Sequence, residues 1–205
     1  MRLASLIGIA AAAVMGGGPA LAHHPMGGET PGTFAQGLMS GLAHPIIGPD
    51  HLAFVVGIGI LSALVSRGWV LPTVFLISGA FGTAIHLGGI GLPGAETLVA
   101  ISVLLMAAAI WFKERSPVVV FAALCGLGGL VHGYALAESI VGSEPSPLLA
   151  YLTGLVLVQL AISLFVRAAA RMIATRRPVL ADRAALAASV GILVVGTASL
   201  PVWGG

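Results

Sequence analysis

The run Gly41-Leu42-Ala43-His44-Pro45-Ile46-Ile47-Gly48-Pro49-Asp50-His51 sets two imidazoles and a carboxylate inside a stretch otherwise apolar enough to lie in a bilayer. Ionisable groups at that depth cost roughly 2.5–3.5 kcal/mol each on insertion scales. Keeping three of them beside two prolines and a glycine implies that they are used. Imidazole with carboxylate is a ligand set for a borderline divalent metal such as nickel, cobalt or zinc. The duller alternative is a buried hydrogen-bonded triad that staples helices together. On an unbroken helix His44 and His51 would share a face about 10 Å apart, too far for one ion. Either a break at Pro45 or Pro49 brings them together, or they form two successive sites.

The elements that must position these groups are membrane helices. Of 205 residues, 58% are hydrophobic and 8% charged, against about 25% charged in a soluble domain. The net charge of +2 is small and the basic residues sit in short clusters, which excludes the broad basic face of a nucleic-acid binder. Residues 1–22 have the form of a cleavable signal peptide: Arg2, an apolar stretch from Leu3 to Val14, and Ala20-Leu21-Ala22. An uncleaved additional helix is the alternative. A tail over 23–34 and a transmembrane domain over 35–205 then follow.

Six apolar stretches are long enough to span: Ala35–Val65, Trp69–Ile90, Ala95–Phe112, Pro117–Ile140, Leu148–Val166 and Ala184–Val202. The expected fold is an all-α membrane protein of six transmembrane helices, the first broken at Pro45/Pro49, with Pro49 opening the second half and Asp50 in its first turn. The connection from Arg167 to Arg183 reads as a longer loop, with room for a small surface helix. Gly37/Gly41 and Gly129/Gly133 are small-xxx-small pairs suited to close helix packing.

Charge sets the orientation. With the mature N-terminus outside, Arg67, Lys113, Arg115, Arg167, Arg171, Arg176, Arg177 and Arg183 all fall on the cytoplasmic side, and the outer loops carry Glu29, Glu96 and Glu144 without Lys or Arg. The C-terminus also ends outside, with Trp203 as an interface anchor. At 1.5 Å per residue, His44 is about 12 Å deep and Asp50 and His51 about 21–24 Å. His86, Glu96 and Glu138 lie near the outer mouth, with His132 about 9 Å inside Glu138. The set grades inward from His23 and His24 in the tail, as a cation path would. Duller readings exist for several members. His86 fits an interfacial histidine bonded to a backbone carbonyl, Glu96 and Glu138 fit acids at helix ends, and His23 and His24 fit an unstructured tail. Cys125 reads as a small core residue.

The motif His44-Pro45-x-x-Gly48-x-Asp50-His51 resembles the signature of the HupE/UreJ family of hydrogenase- and urease-associated metal permeases. Leu92-Pro93-Gly94-Ala95-Glu96 is similar to that family's Leu-Pro-x-x-Glu segment, and Val131-His132-Gly133-Tyr134-Ala135 to its His-Gly-x-Ala motif. The resemblance implies movement of nickel, or in some members cobalt, across the bacterial inner membrane toward hydrogenase, urease or cobalt-pathway maturation proteins. It implies metal-handling roles for His44, Asp50, His51, Glu96 and His132, and no permanently bound cofactor. One departure stands out. Nickel-type members carry a second His four residues after the first and a Glu seven after it, where this chain has Leu136 and Ser139.

A divalent-cation permease, not an enzyme, is therefore the expected function. No nucleotide-binding Gly-x-x-x-x-Gly-Lys-Ser/Thr motif occurs. Two other classes use the same residues: a metal-binding accessory or sensor protein, and an intramembrane zinc hydrolase. No zincin His-Glu-x-x-His supports the latter.

Overall fold

A computed structural model describes residues 30–201. The expected signal peptide, His23, His24 and Trp203 lie outside the described residues. Within them the chain is all-helical: α1 (Phe34–Ile47), α2 (Pro49–Leu64), α3 (Val70–Leu87), α4 (Ala95–Trp111), α5 (Val118–Leu136), a 3₁₀ turn (Glu138–Ile140), α6 (Pro145–Arg176) and α7 (Pro178–Ala198). No strand occurs among the described residues. Four helices, α3, α5, α6 and α7, are long and apolar enough to cross a membrane, and the bent α1–α2 pair makes five. Helix α4 is apolar but has 17 residues.

The break falls at Gly48 alone. Helix α1 opens on a capping box, in which Gln36 N–H donates to Thr33 Oγ1 and Thr33 N–H donates to Gln36 Oε1. It runs straight through Pro45 and stops at Gly48, whose N–H still bonds the His44 carbonyl at 3.0 Å. Pro49 then occupies the first turn of α2, where its missing N–H costs nothing. The two helices meet at 78°. Pro45 leaves the helix intact, so of the two prolines only Pro49 marks the break.

This bend corrects the depth reading made from a straight rod. Helix α2 does not carry His51 about 10 Å further along the line of α1; it turns away, and the two histidines become neighbours. Helix α2 instead becomes the bundle's central column. Ten of its residues are buried, among them Phe54, Val55, Ile58 and Leu61, as expected of a helix that is apolar all round. It packs against α3, α4, α6 and α7.

Two glycine seams close the rest. Gly82 on α3 faces the Leu130 carbonyl of α5, and Gly133 on α5 faces the backbone of Gly79. Gly37 and Gly41 on α1 meet the carbonyls of Pro147 and Tyr151 on α6. At each of these positions an added Cβ would collide with backbone, which cannot swing aside. The small pairs legible in the sequence are thus the contact points of α3 on α5 and α1 on α6.

The segment from Arg167 to Arg183 is not a separate surface helix. Helix α6 continues unbroken for 32 residues to Arg176, and α7 begins at Pro178. At about 1.5 Å per residue it reaches about 48 Å, longer than the roughly 30 Å hydrocarbon core. No helix breaker lies between Val166 and Arg176, so the helix outruns its apolar stretch. Two polar contacts gather the basic end: Arg167 Nη1 donates to the Ser62 carbonyl at 2.7 Å, and Lys113 Nζ lies 3.1 Å from Asp182 Oδ1.

Gly82→Ala should lower thermal stability in detergent by about 1–3 kcal/mol, since Leu130 backbone must move. Gly191→Ala on α7, where a Cβ meets nothing within 4 Å, should be neutral or gain up to about 1 kcal/mol. Circular-dichroism melts of the two variants check the contrast, and equal melting behaviour would contradict the seam.

Candidate functional site

Burying a histidine among membrane helices leaves two ring nitrogens in need of partners, because no lipid group can supply them. The chain answers with serines, a tyrosine and further histidines. His132 on α5 is fully buried, with Nε2 at 2.9 Å from Ser102 Oγ of α4 and Nδ1 at 2.7 Å from His51 Nδ1 of α2. Phe54 stacks at 4.5 Å between ring centroids, and Phe75 stands edge-on at 6.1 Å. Phe54 fits there because α5 has Gly128 beneath its ring.

His44, buried on α1, sits on the other side. Its Nδ1 is 3.1 Å from both Ser139 Oγ and Tyr151 Oη, and its ring centroid is 6.1 Å from that of His51. The bend makes this approach possible. The His51 ring also folds back over Gly48, where an added Cβ would lie 2.8 Å from its Cδ2. Asp50, in the first turn of α2, accepts the His51 backbone N–H at 2.8 Å. It occupies the position where a carboxylate complements the helix dipole.

Counting protons along this network assigns the tautomers. Ser102 donates its one hydroxyl hydrogen to the Val99 carbonyl at 2.7 Å, so His132 Nε2–H must donate to Ser102. Neutral His132 then carries its lone pair on Nδ1 and accepts from His51 Nδ1–H. Tyr151 donates to the Leu136 carbonyl at 2.6 Å, while the Ser139 hydrogen can go to Tyr151, to Leu136 or to His44 Nδ1, so the count assigns His132 and His51 only. His51 is therefore held as the tautomer with its lone pair on Nε2. Fixing one ring nitrogen by a donated hydrogen bond, so that the other can ligate, is how proteins orient metal-binding histidines.

The other expected site residues lie apart. His86, half-buried at the end of α3, donates from Nδ1 to the Tyr134 carbonyl at 2.8 Å and stacks on the Tyr134 ring at 4.3 Å, and the Tyr134 hydroxyl accepts from Leu92 N–H. This is the interfacial-histidine arrangement, a staple between α3, α5 and the loop before α4. Glu96 in the first turn of α4 and Glu138 in the 3₁₀ turn are exposed. Cys125 is buried in the core. Among the described residues no three His, Cys, Asp or Glu side chains form a ready-made metal cage. The graded path thus contracts to one cluster of His44, His51 and His132 with Asp50 beside it.

A family profile described as HupE / UreJ protein matches residues 10–199. The chain belongs to the HupE / UreJ family. It is 31% identical over 118 residues to Protein HupE of Rhizobium leguminosarum bv. viciae, an alignment spanning 57% of this chain and 59% of that relative. No solved structure matches. In this HupE / UreJ chain, of the two positions where the fourth-span pattern departs, Ser139 meets His44 through its hydroxyl, and Leu136 is one step removed, its carbonyl accepting from Tyr151.

Ser102, Ser139 and Tyr151 were not among the residues marked from the sequence as site residues. A serine or tyrosine within an apolar span is a common packing residue, and only the tertiary contacts give these three their part. Solid-state ¹⁵N spectra of histidine-labelled protein should show His132 protonated on Nε2 and His51 on Nδ1. Ser102→Ala should shift the His132 and His51 resonances and leave those of His44 in place; an Nδ1–H tautomer for His132 would contradict the assignment.

Proposed function

We propose that this protein is an integral-membrane permease for divalent transition-metal cations, with nickel or cobalt as cargo, serving metalloenzyme maturation. In this reading the six apolar stretches span the bacterial inner membrane with α1–α2 as one broken span. Both termini are periplasmic and the basic end of the bundle is cytoplasmic. What supports the reading above all is the break at Gly48, which brings the rings of His44 and His51 to 6.1 Å, with the His51 lone pair on Nε2. Family membership adds to it. Nickel and cobalt suit imidazole donors, and a cargo ion would be met by these two rings, with Asp50 supplying negative charge nearby.

The resting arrangement also suits passage better than storage. His51 donates through Nδ1 to His132 rather than belonging to a preformed cage, so an ion would meet its Nε2 while that hydrogen bond goes on orienting the ring. Passing the ion to His132 would in turn require that bond to open. Glu96, Glu138, His23 and His24 act in this scheme as outer gathering groups, separate from the cluster.

Flux of radioactive nickel, cobalt and zinc into proteoliposomes, in competition, tests the proposal. His44→Ala, Asp50→Ala and His51→Ala should each lower uptake at least tenfold. Wild-type rates in His44→Ala and Asp50→Ala would sink it, and binding without flux would make the protein a metal-binding accessory instead. Metal requires neutral imidazole, so uptake should also fall as the outside is acidified; Ser102→Ala should weaken metal affinity by about 10–100-fold through loss of ring orientation.

A further inference from the structure

A second polar feature lies beyond the histidine cluster. Helices α3, α5 and α6 enclose a cavity of about 100 Å³. Its floor consists of Phe75, Thr83, Gly133, Leu155 and Gln159, all buried, and its mouth lies between Ala80 and Val156, which are exposed on the apolar flank. Gln159 is the unusual member. Its side chain belongs to a residue only 6% exposed, deep in α6, and it makes no hydrogen bond with any described residue. Yet no sealed side-chain nitrogen or oxygen among the described residues lacks a partner. The Gln159 amide must therefore face the open space of the cavity.

The chemistry of the lining says what that space accepts. Thr83 gives its hydroxyl hydrogen to the Gly133 carbonyl at 2.9 Å, so its oxygen offers only lone pairs. Gln159 offers both a carbonyl oxygen and two N–H donors. No charged group lines the cavity. The volume is well below the roughly 300 Å³ of a small-molecule site but fits about three waters at about 30 Å³ each. A buried water needs two to four polar partners, which the amide, the threonine and neighbouring waters supply. Phe75 forms one wall and on its other side stands against His132, so one aromatic ring separates the cavity from the cluster.

We propose that this cavity holds water organised by Gln159 and Thr83, and that it rehydrates the cation on leaving the imidazoles. The rehydration role rests on the permease reading; the water site does not. An ion that has exchanged water for imidazole must regain oxygen ligands to move on, and an amide oxygen with ordered water provides them without a charge that would trap it.

Radiolytic hydroxyl-radical footprinting of the full-length protein tests the water site, because oxidation requires water beside the side chain. Phe75 and Leu155 should be oxidised at least fivefold faster than Phe121 and Leu61, which are buried away from the cavity, and Gln159→Leu should abolish the difference. Equal rates in the wild type would overturn the proposal. In proteoliposomes Gln159→Leu and Thr83→Val should each lower nickel flux at least fivefold with nickel affinity unchanged, and Gln159→Asn should restore it. Wild-type flux in both variants would overturn the rehydration role. Absence of nickel flux through the unsubstituted protein, with the footprint intact, would instead overturn the permease reading and leave the water site standing.

Discussion

Backbone hydrogen bonding in a bilayer is close to compulsory, and the fold is organised around the place where the chain gives some of it up. Pro49 has no N–H to return to the Pro45 carbonyl, and Gly48 lets the chain turn before α2 resumes. A straight helix of this length would have put His44 and His51 on one face and out of reach of each other. The 78° turn instead makes α2 the buried centre of the bundle and points its first turn at α1. Asp50 takes the His51 N–H that the broken ladder would have served, so the residue that stabilises the helix start also brings a carboxylate to the site. Gly48 is needed for space rather than for unusual backbone angles, since its φ of −76° is ordinary and the His51 ring occupies the volume of its missing Cβ.

From that turn a line of proton donors runs across five elements of the bundle and the 3₁₀ turn. It begins at the Val99 carbonyl on α4 and passes through Ser102, His132 and His51. Across the 6.1 Å gap, His44 is anchored by Ser139 and Tyr151 to the Leu136 carbonyl. The Val99 end is a backbone carbonyl, which can only accept, so the direction of each hydrogen from Val99 to His51 follows. Helix α3 contributes to the line indirectly: its glycine seam holds α5 in place, and Phe75 packs on His132. The glycine seams are thus part of the site, since a displacement of α5 by one methyl group would stretch a 2.7 Å bond.

The fold was legible from the sequence where its causes are local. Apolar length, the Gly-x-x-x-Gly pairs and Pro49 at a helix start depend on neighbours in the chain; the structure has the pairs and the helix start, and five of the six apolar stretches at membrane-crossing length, the bent α1–α2 pair counted as one. Reading failed where a boundary depended on composition rather than on a breaker. The arginines after Val166 suggested a new element, yet nothing in Arg167–Thr175 interrupts a helix, so α6 simply continues. The site was half legible. His44, Asp50, His51 and His132 stood out by their insertion cost, but the depth of His51 could not be read without the bend angle. His86 matched its duller alternative because Tyr134 gave it a carbonyl and a ring at once. Ser102 and Tyr151 carry no cost signal, and their part depends on contacts between residues 30 and 107 positions apart.

The magnitudes explain how one cluster can be a structural staple and still serve the passage proposed for it. Three imidazoles without partners would each cost roughly 2–7 kcal/mol on burial, which a small bundle could not sustain, so the hydrogen-bonded line is required whenever no ion is present. Yet an interhelical hydrogen bond within a membrane has a net worth of only about 0.6 kcal/mol on average. Opening the His51–His132 bond, as the proposed hand-over of a cation to His132 requires, therefore costs little, while the bundle's packing rests on the glycine seams and the α2 core. The histidines are held firmly enough to be pre-aimed and weakly enough to be released. That balance would fail if the same rings were locked in charged pairs, whose rupture leaves an uncompensated buried charge costing about 3–5 kcal/mol. Ser139 and Tyr151 hold His44 with neutral hydroxyls, which keeps this end of the line on the releasable side of that divide.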